Sequence, residues 1–422
     1  MHLSQAIRFC GRCFQCTLIV KQSNQLSLFN QPSNNDLLID LFQAYFDARK
    51  NKRNTINALA FELHFEKEVF KLYDEITSGQ YAPSRSICFI VNKPVKREIF
   101  AADFRDRVVH HLIYNYLSPL AEGTFINDSY SCRVGKGTHY GIKRVDKFIR
   151  SCSENYQEDC YILKLDIQGY FMSINRDILF DQVRNLLFSK THRIDFNLEL
   201  ILGLIKQTIY NDSTAGCVVK GKRSDWDGLP PDKSLFTAKA NCGLPIGNLT
   251  SQLFANIYLN EFDHYVKREL GIKYYGRYVD DFVLIHWNKT YLKSLIPVIR
   301  QLLSEMIQVR LHPKKIYLQH FTQGVTYLGA VIKPHRIYVS NRTKGNFYNT
   351  IDKHNQIIRD HKPSQEELEA FISSMNSYLG IMQHYKSYTL RKAMLYKHVS
   401  AWWWNYVYIA GGYRLLRASQ SV

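Results

Sequence analysis

Long hydrophobic runs are missing from this chain of 422 residues. No stretch approaches the roughly 18 consecutive apolar residues that a membrane-spanning helix requires. Residues 1–20 include Arg8 and Arg12 and lack the continuous apolar segment of a secretory signal. No internal repeat is visible. We therefore expect an intracellular, cytoplasmic protein that has no membrane partner.

Acidic residues are scarce relative to basic ones. The chain has 37 Asp and Glu against 55 Lys and Arg, which gives a formal net charge of +18. This balance favours a polyanionic partner, because each phosphate that a protein neutralises releases counterions. Excess positive charge also increases solubility, so it supports a nucleic-acid partner without establishing one. The length allows roughly three domain-sized units.

The nine cysteines are scattered, which favours reduced thiols over a disulfide framework. One group stands out, because Cys10, Cys13 and Cys16 have a spacing found among zinc and iron–sulfur ligands. No second Cys/His pair follows at the distance typical of a zinc finger, and His2 is a poor fourth ligand. A polar, linker-like stretch comes next. The sequence favours a variable N-terminal segment over residues 1–35, with a metal site as the alternative.

The most informative segment is Tyr278-Val279-Asp280-Asp281, which lies between two stretches of apolar and aromatic residues. Such residues favour strands and Asp tolerates turns, so the pattern predicts a β-hairpin with an acidic tip. Two adjacent carboxylates repel each other, and a divalent metal removes that repulsion. Metal pairs are used in this way to catalyse phosphoryl transfer. A four-residue match also arises by chance, so the interpretation depends on the surrounding segments.

A third acid, Asp166, directly follows a predicted short buried strand at residues 161–165. The C-terminal ends of strands are where α/β-type sites collect their ligands. Taken alone, Asp166 is better explained as a turn residue or a helix N-cap. Together with Asp280 and Asp281, it is better explained as part of a catalytic metal site.

Two glycine-containing loops precede predicted helices and have features of phosphate binding. Residues 127–139 alternate glycines with Arg133 and Lys136, which lets the backbone approach a phosphate chain closely. Residues 243–252 combine Gly, Pro and small polar residues just before an apolar helix, whose N-terminus favours anions. A strand, a basic turn and a second strand at residues 87–99 resemble a phosphate-handling hairpin. Each segment alone is also compatible with an exposed basic loop.

The order of these segments resembles that of the reverse transcriptases, over about residues 85–335 and more weakly to residue 400. Seven motifs of that family have matches in sequence order, at residues 96–113, 127–141, 163–175, 243–266, 275–286, 311–318 and 324–332. The resemblance implies an α+β right-hand polymerase fold with fingers, a palm built on an antiparallel sheet, and a helical thumb. It implies these boundaries: N-terminal segment 1–35, fingers 36–160, palm 161–335 with an insertion at about 205–240, thumb 336–400 and aromatic tail 401–422.

The resemblance also implies roles for individual residues. Asp166, Asp280 and Asp281 correspond to the catalytic carboxylates, and together with Ile167 they would bind two Mg²⁺ ions. The residues that would bind the incoming deoxynucleoside triphosphate (dNTP) are Lys93, Arg97, Phe171, Ile246, Gly247 and Lys314. Those that would contact template or primer are Arg133, Lys136, Gln252, Tyr278, Arg391 and Lys392. Phe171 matches the aromatic residue that excludes ribonucleotides, with ordinary packing in the palm as its alternative.

One segment departs from the common pattern of the family, in which the fourth motif has Gln-Gly, three residues and then Ser-Pro. Residues 246–252 here are IGNLTSQ. This form is similar to the reverse transcriptases of diversity-generating retroelements, which are encoded by bacteria or phages. Those enzymes copy a template-repeat RNA, misincorporate opposite template adenines, and provide cDNA that replaces a variable repeat in target DNA. They work with a small, basic accessory protein that is usually a pentamer.

Two other interpretations stay open. The chain could be a bacterial reverse transcriptase of another lineage, such as a phage-defence or group II intron-like enzyme. It could also be an RNA-binding scaffold without catalysis, although the three intact acids argue against this. In the tail, Trp402, Trp403 and Trp404 together with Tyr406 and Tyr408 predict a core or capping role, with partner docking as the alternative.

Overall fold

The computed structural model describes residues 34–50, 55–92 and 95–419. Cys10, Cys13 and Cys16, which were considered as metal ligands, lie outside these ranges, and so does Lys93. Helices and strands alternate irregularly along the chain, so the predicted α+β class is confirmed. Within the described ranges, no helix has both the length and the apolar character needed to cross a membrane.

The α-helices of the described residues are α1 Asn34–Arg49, α2 Ile56–Leu63, α3 Phe65–Thr77, α4 Phe104–Glu122, α5 Thr138–Cys152, α6 Tyr170–Ser173, α7 Arg176–Phe188, α8 Leu198–Tyr210, α9 Leu249–Tyr258, α10 Asn260–Arg268, α11 Lys289–Ile307, α12 Asn341–Asp360, α13 Gln365–Met382 and α14 Tyr388–His398. The strands are β1 Ile87–Val91, β2 Arg97–Ala101, β3 Tyr161–Asp166, β4 Val218–Val219, β5 Tyr274–Tyr278, β6 Asp281–His286, β7 Tyr317–His320, β8 Val325–Tyr327, β9 Ala330–Lys333, β10 Arg336–Val339, β11 Val407–Ala410 and β12 Leu415–Ala418.

The central sheet has the strand order β5-β6-β3-β7, and all of its neighbouring strands are antiparallel. Side chains alternate between the two faces of a strand, so β3 contributes to two different cores. Leu163 and Leu165 belong to the large core shared with α7, α9 and α11, whereas Ile162 packs into a second core with α5 and the sheet β8–β10. The sheet is therefore covered on both faces along most of its length, and Asp166 and Asp281 lie at one end of it.

A second hairpin, β1–β2, lies N-terminal to the central sheet and is antiparallel, with Val91 paired to Arg97. The short strand β4 extends it by pairing parallel to β1. This strand belongs to the stretch predicted as an insertion at about 205–240. The first residues of the same stretch continue α8, which ends at Tyr210.

The C-terminal part has its own core, built from α12, α13, α14 and the hairpin β11–β12. Trp403 is fully buried there and stacks on Phe371, with ring centroids 3.9 Å apart. The predicted core role of the aromatic tail thus holds for Trp403. Trp402, by contrast, is 62% exposed.

Candidate active site

Strands β5 and β6 form a hairpin whose tip carries two adjacent aspartates, as the sequence predicted. Tyr278 pairs with Asp281, so Val279 and Asp280 form a two-residue loop. Val279 has a φ of 55°, a left-handed conformation that is rare for a β-branched residue. A positive φ at the first loop residue is a feature of the type II′ turn, which suits the twist of antiparallel strands. Arg277 stabilises the loop by donating a hydrogen bond from Nη1 to the carbonyl oxygen of Val279 at 2.9 Å.

The antiparallel pairing of β3 with β6 brings the third acid to this tip. Asp166 lies directly opposite Asp281 in the strand register. The backbone N–H of Ile167 donates a hydrogen bond to the carbonyl oxygen of Asp280 at 3.2 Å. Residues more than a hundred positions apart in sequence therefore meet at one end of the central sheet. The structure brings together the three aspartates and Ile167, the residues predicted to bind metal.

Burial and neighbouring charges raise the pKa of two of these acids. Burial raises the pKa of Asp280 to about 6, and the neighbouring carboxylates of Asp166 and Asp281 add to the increase. Burial also raises the pKa of Asp281, although Lys164 opposes this change. Carboxylates that resist ionisation in a cluster of like charges are typical of sites that gain from binding a cation.

Two lysines contact the acids directly. The ammonium group of Lys315 lies 3.0 Å from both carboxylate oxygens of Asp166. Lys164 Nζ lies 3.2 Å from Oδ1 of Asp281. The sequence had pointed to Lys314 as the lysine of this region. Lys314 is exposed, and Lys315 is the residue whose side chain reaches the aspartates.

The donor set suits a hard divalent cation, since all of its side-chain ligands are carboxylate oxygens. Among the residues that the structure describes, no three His, Cys, Asp or Glu side chains already form a cluster that could hold a metal ion. Asp166 and Asp281 instead bond to lysine ammonium groups. The residues fit a metal by chemistry and position, and binding would require these two carboxylates to turn from the lysines.

A buried ion pair supports the β5–β6 hairpin, and it was not predicted from the sequence. Arg277 and Asp263 are both fully buried, with an Nη2–Oδ2 distance of 2.7 Å. Tyr275 donates a second hydrogen bond to Asp263 at 2.6 Å, and Arg277 Nη2 reaches Ser129 Oγ at 3.3 Å. The pair thus connects α10, β5 and the loop that precedes α5. The available signal was a charged residue within an otherwise apolar strand, just before the acidic tip.

Comparison with known proteins assigns the family. Residues 92–332, more than half of the chain, match the family described as "Reverse transcriptase (RNA-dependent DNA polymerase)". The chain belongs to the reverse transcriptase family. This makes it an enzyme of the RNA-directed DNA polymerase class, and it confirms the right-hand polymerase fold predicted from the sequence. Reverse transcriptases use divalent metal ions, in keeping with the carboxylates at the hairpin tip.

Individual relatives of this reverse transcriptase are distant. Protein YkfC of Escherichia coli (strain K12) is 25% identical over 308 residues, which cover 65% of this chain and 73% of YkfC. Telomerase from Candida tropicalis in its apo form is similar at 12% identity, covering 78% of this chain and 64% of that one, with a TM-score of 0.45. Telomerase from Candida albicans, in complex with a fragment of telomeric RNA, has 13% identity, coverages of 74% and 59%, and a TM-score of 0.41. The reverse transcriptase spans less than two thirds of either telomerase chain.

Three of the residues predicted to bind the nucleotide lie together. Phe171 and Ile246 pack against one small cluster that includes Phe100 and Met172. The carbonyl oxygen of Ile246 accepts a hydrogen bond from the N–H of Phe100 at 2.9 Å, which joins this loop to β2. Gly247 has a φ of 130°, and a side chain there would lie 3.0 Å from the Phe100 carbonyl oxygen.

Two other residues predicted to bind the nucleotide, Arg97 and Lys314, lie on other elements. Arg97 begins β2 and is exposed, and Lys314 lies in the turn before β7. Lys93 lies outside the described residues. The structure therefore groups Phe171, Ile246 and Gly247, and it places Arg97 and Lys314 at the protein surface.

Three of the residues predicted to contact template or primer line a groove of about 410 Å³, namely Arg133, Lys136 and Gln252. Gln252 is exposed. The guanidinium of Arg133 bonds to Glu122 at 2.7 Å, and Lys136 donates to the carbonyl oxygen of Asn127 at 2.6 Å. Both cations thus already have intramolecular partners, which also order the loop.

The other residues predicted to contact template or primer differ in exposure. Tyr278 is half-buried beside Asp281. Lys392 is exposed on α14, whereas Arg391 is buried and donates from Nη1 to the carbonyl oxygen of Tyr413 at 2.7 Å. The prediction of a duplex contact for Arg391 is wrong in this structure, because its guanidinium fastens the C-terminal hairpin to α14.

Proposed function

We propose that this reverse transcriptase copies a template-repeat RNA into cDNA with frequent misincorporation opposite template adenines, as enzymes of diversity-generating retroelements do. The observation that carries the proposal is Ile246, an apolar residue beside Phe171 where most of the family has glutamine. Its side chain offers shape but no hydrogen bond, so a mispaired nucleotide loses less binding energy than it would beside a polar group.

The partners that follow from this proposal are nucleic acids, nucleotides and one protein. The enzyme would bind the template-repeat RNA and dNTPs, and its cDNA would replace a variable repeat in target DNA. The high positive charge of the chain suits these polyanions. A small, basic, pentameric accessory protein would assist it in the cytoplasm of a bacterium. The two nearby lineages, phage-defence and group II intron-like enzymes, would lack the adenine-directed errors.

The three aspartates would perform the chemistry by binding two Mg²⁺ ions, with the carbonyl oxygen of Ile167 as a further ligand. When bound, the metal pair would activate the primer 3′-hydroxyl and neutralise charge on the triphosphate. The antiparallel register of Asp166 and Asp281 sets the separation of these ligands before any substrate arrives. Lys315 and Lys164, released from the carboxylates, would add positive charge beside the reacting phosphates.

The pocket beside the acids would select the nucleotide. Phe171 would exclude a ribose 2′-hydroxyl by contact, and Gly247 would let the backbone approach the nucleotide closely. Arg97 and Lys93 would bind the triphosphate from the fingers. Arg133, Lys136, Gln252, Tyr278 and Lys392 would contact template and primer.

The test is cDNA synthesis by the purified enzyme on its cognate RNA with a DNA primer, dNTPs and Mg²⁺, followed by sequencing of the products. Substitutions concentrated at template adenines support the proposal. Faithful copies would place the enzyme in another lineage. A folded enzyme that makes no DNA, even with its RNA and accessory protein, would exclude the polymerase role itself.

The variant Ile246→Gln is expected to lower misincorporation opposite template adenine by roughly tenfold to a hundredfold, because a polar contact restores discrimination between correct and incorrect geometry. The frequency is measured by primer extension and sequencing. Ile246→Val, which keeps the apolar character, is the matched control and should retain the wild-type error rate. An unchanged error spectrum in Ile246→Gln would contradict the role given to Ile246.

Two adjacent lysines provide a further test. Lys315→Ala is expected to slow single-turnover nucleotide addition by about tenfold to a hundredfold, because it removes a cation that contacts Asp166. Lys314→Ala should change the same rate by less than about threefold, since this side chain is exposed. The reverse order of effects would show that Lys314 is the functional residue.

A further inference from the structure

The stretch between α8 and α9 contributes to the hydrophobic cluster on which Phe171 and Ile246 pack. We call residues 211–242 the backing segment. It contains β4 and three short 3₁₀ turns, at Arg223–Trp226, Pro231–Lys233 and Leu235–Thr237. Because it has little regular structure of its own, its position depends on contacts with other parts of the chain.

The strongest of these contacts is made by Glu98, a fully buried carboxylate on β2. Its Oε1 accepts hydrogen bonds from Trp226 Nε1 at 2.6 Å and from Ser234 Oγ at 2.8 Å. Its Oε2 accepts one from the backbone N–H of Leu235 at 2.6 Å. The Glu98 carboxylate thus attaches two turns of the backing segment to the β1–β2 hairpin.

Two side chains held by the Glu98 contacts, Leu235 and Trp226, belong to or pack on the cluster that also contacts Phe171 and Ile246. Leu235 is buried in the cluster that contains Phe100 and Met172, and Phe171 and Ile246 pack against this cluster. Leu235 also lies so close to Gly243 that a side chain there would come within 2.6 Å of its methyl group. Protein interiors are densely packed, so a shift of Leu235 would be transmitted to Phe171 and Ile246.

A second contact reaches the turn that follows the metal-binding strand. Gln168 Nε2 donates to Asp232 Oδ2 at 3.0 Å. The carbonyl oxygen of Asp232 also lies against Gly169, whose φ is 53°, and it leaves no room for a side chain there. The backing segment therefore touches both the cluster that supports Phe171 and the turn between Asp166 and Phe171.

We propose that Glu98 is a positioning residue for nucleotide selection. By holding the backing segment in place, it fixes the ring of Phe171 and the side chain of Ile246, and so maintains the preference for deoxynucleotides over ribonucleotides. This inference rests on the proposed function, since it assigns a reaction to the pocket. Displacements of about 1 Å at such positions change rates substantially, so a loosened segment should admit the 2′-hydroxyl more readily.

The chemistry of a carboxylate explains why glutamate is needed at this position. Two oxygens without hydrogens accept all three donors. A glutamine has a single acceptor oxygen, and its amide N–H₂ would face at least one of the donors. Glu98→Gln therefore keeps the volume of the side chain and breaks part of the attachment. Trp226→Phe removes one donor and leaves Glu98 in place.

The experiment measures kcat and KM for dGTP and GTP in primer extension by the full-length enzyme. Glu98→Gln is expected to raise KM for dGTP roughly fivefold and to lower the ratio of kcat/KM for dGTP over GTP roughly tenfold, with kcat for dGTP within about twofold. Trp226→Phe should change both quantities in the same direction by a smaller factor. It also keeps the proposal testable if Glu98→Gln does not fold.

The matched control is Asp106→Asn. Asp106 is another buried carboxylate with neutral donors, Tyr81 and Ser84, and it does not belong to the cluster around Phe171. Asp106→Asn should lower the melting temperature without changing the ratio of kcat/KM for dGTP over GTP. An unchanged ratio in Glu98→Gln and Trp226→Phe, with an active wild type, would overturn the role of Glu98 alone. A wild type that makes no DNA would overturn the proposed function as well.

Discussion

Asp280→Asn is expected to reduce DNA synthesis at least about a thousandfold and, at the same time, to stabilise the metal-free protein. The activity is lost because an amide keeps the shape of the side chain but removes one of the charges that would bind the metal pair. The gain in stability follows because the wild-type carboxylate is buried among like charges, which oppose its ionisation.

The pH dependence follows from the raised pKa of Asp280, which is about 6 in the folded protein against an ordinary value of 3.8. A protonated Asp280 favours the folded state, and this contribution is fully present below about pH 4. It is lost as the pH rises towards about 6, because the unfolded chain ionises more easily. Above that pH, Asp280→Asn should exceed the wild type in free energy of unfolding by about 1–3 kcal/mol.

The measurement combines urea denaturation in EDTA at pH 4.5 and 7.5 with primer extension in Mg²⁺. Mg²⁺ should raise the melting temperature of the wild type and leave that of Asp280→Asn nearly unchanged. The control is Asp181→Asn, an exposed aspartate that forms a surface ion pair with Arg184. Appreciable DNA synthesis by Asp280→Asn would remove the basis for the metal site, and a lower stability would contradict the electrostatic argument.

Asp263→Ala is expected to destabilise the protein by about 3–5 kcal/mol, because it leaves the Arg277 guanidinium buried without a counter-charge. The free energy of unfolding is measured by urea denaturation at pH 7.5. Removal of the surface partner in Asp181→Ala should cost less than about 1 kcal/mol. A loss of similar size from the two substitutions would show that the buried pair contributes no more than an exposed one.

The double variant Asp263→Leu with Arg277→Met separates stability from activity. Apolar residues of similar volume can replace a buried ion pair with little net loss, so the free energy of unfolding should recover partly. DNA synthesis should not recover, because Arg277 also bonds to the Val279 carbonyl oxygen and reaches Ser129. Recovery of both properties would mean that the pair supports the fold and has no role in holding the acidic tip.

The sequence predicted those parts of the site that depend on local patterns. The apolar and aromatic stretches around Tyr278-Val279-Asp280-Asp281 predicted the hairpin, and the apolar run before Asp166 predicted its strand. The family resemblance then brought the two together. Their register, with Asp166 opposite Asp281, became visible only in the folded chain, because pairing between strands is not encoded in either strand alone.

Long-range polar contacts could not be predicted in this way. The partners of Glu98 lie 128 to 137 residues further along the chain, and no local pattern connects them. The contact of Lys315 with Asp166 was not predicted for a different reason, since the geometry of a turn decides which of two neighbouring lysines faces the aspartates. Arg391 was predicted to lie on a basic surface, but the β11–β12 hairpin covers it. The sequence of a helix does not show which of its faces another part of the chain will cover.

The left-handed backbone of Val279 has a consequence for repeated rounds of nucleotide addition. A β-branched residue in this conformation costs on the order of 1–3 kcal/mol, which the contacts of Arg277 help to offset. This free-energy cost arises once, when the chain folds, whereas nucleotides are added many times. The backbone of the acidic tip is thus preorganised when the chain folds, and no step of elongation has to bend it again.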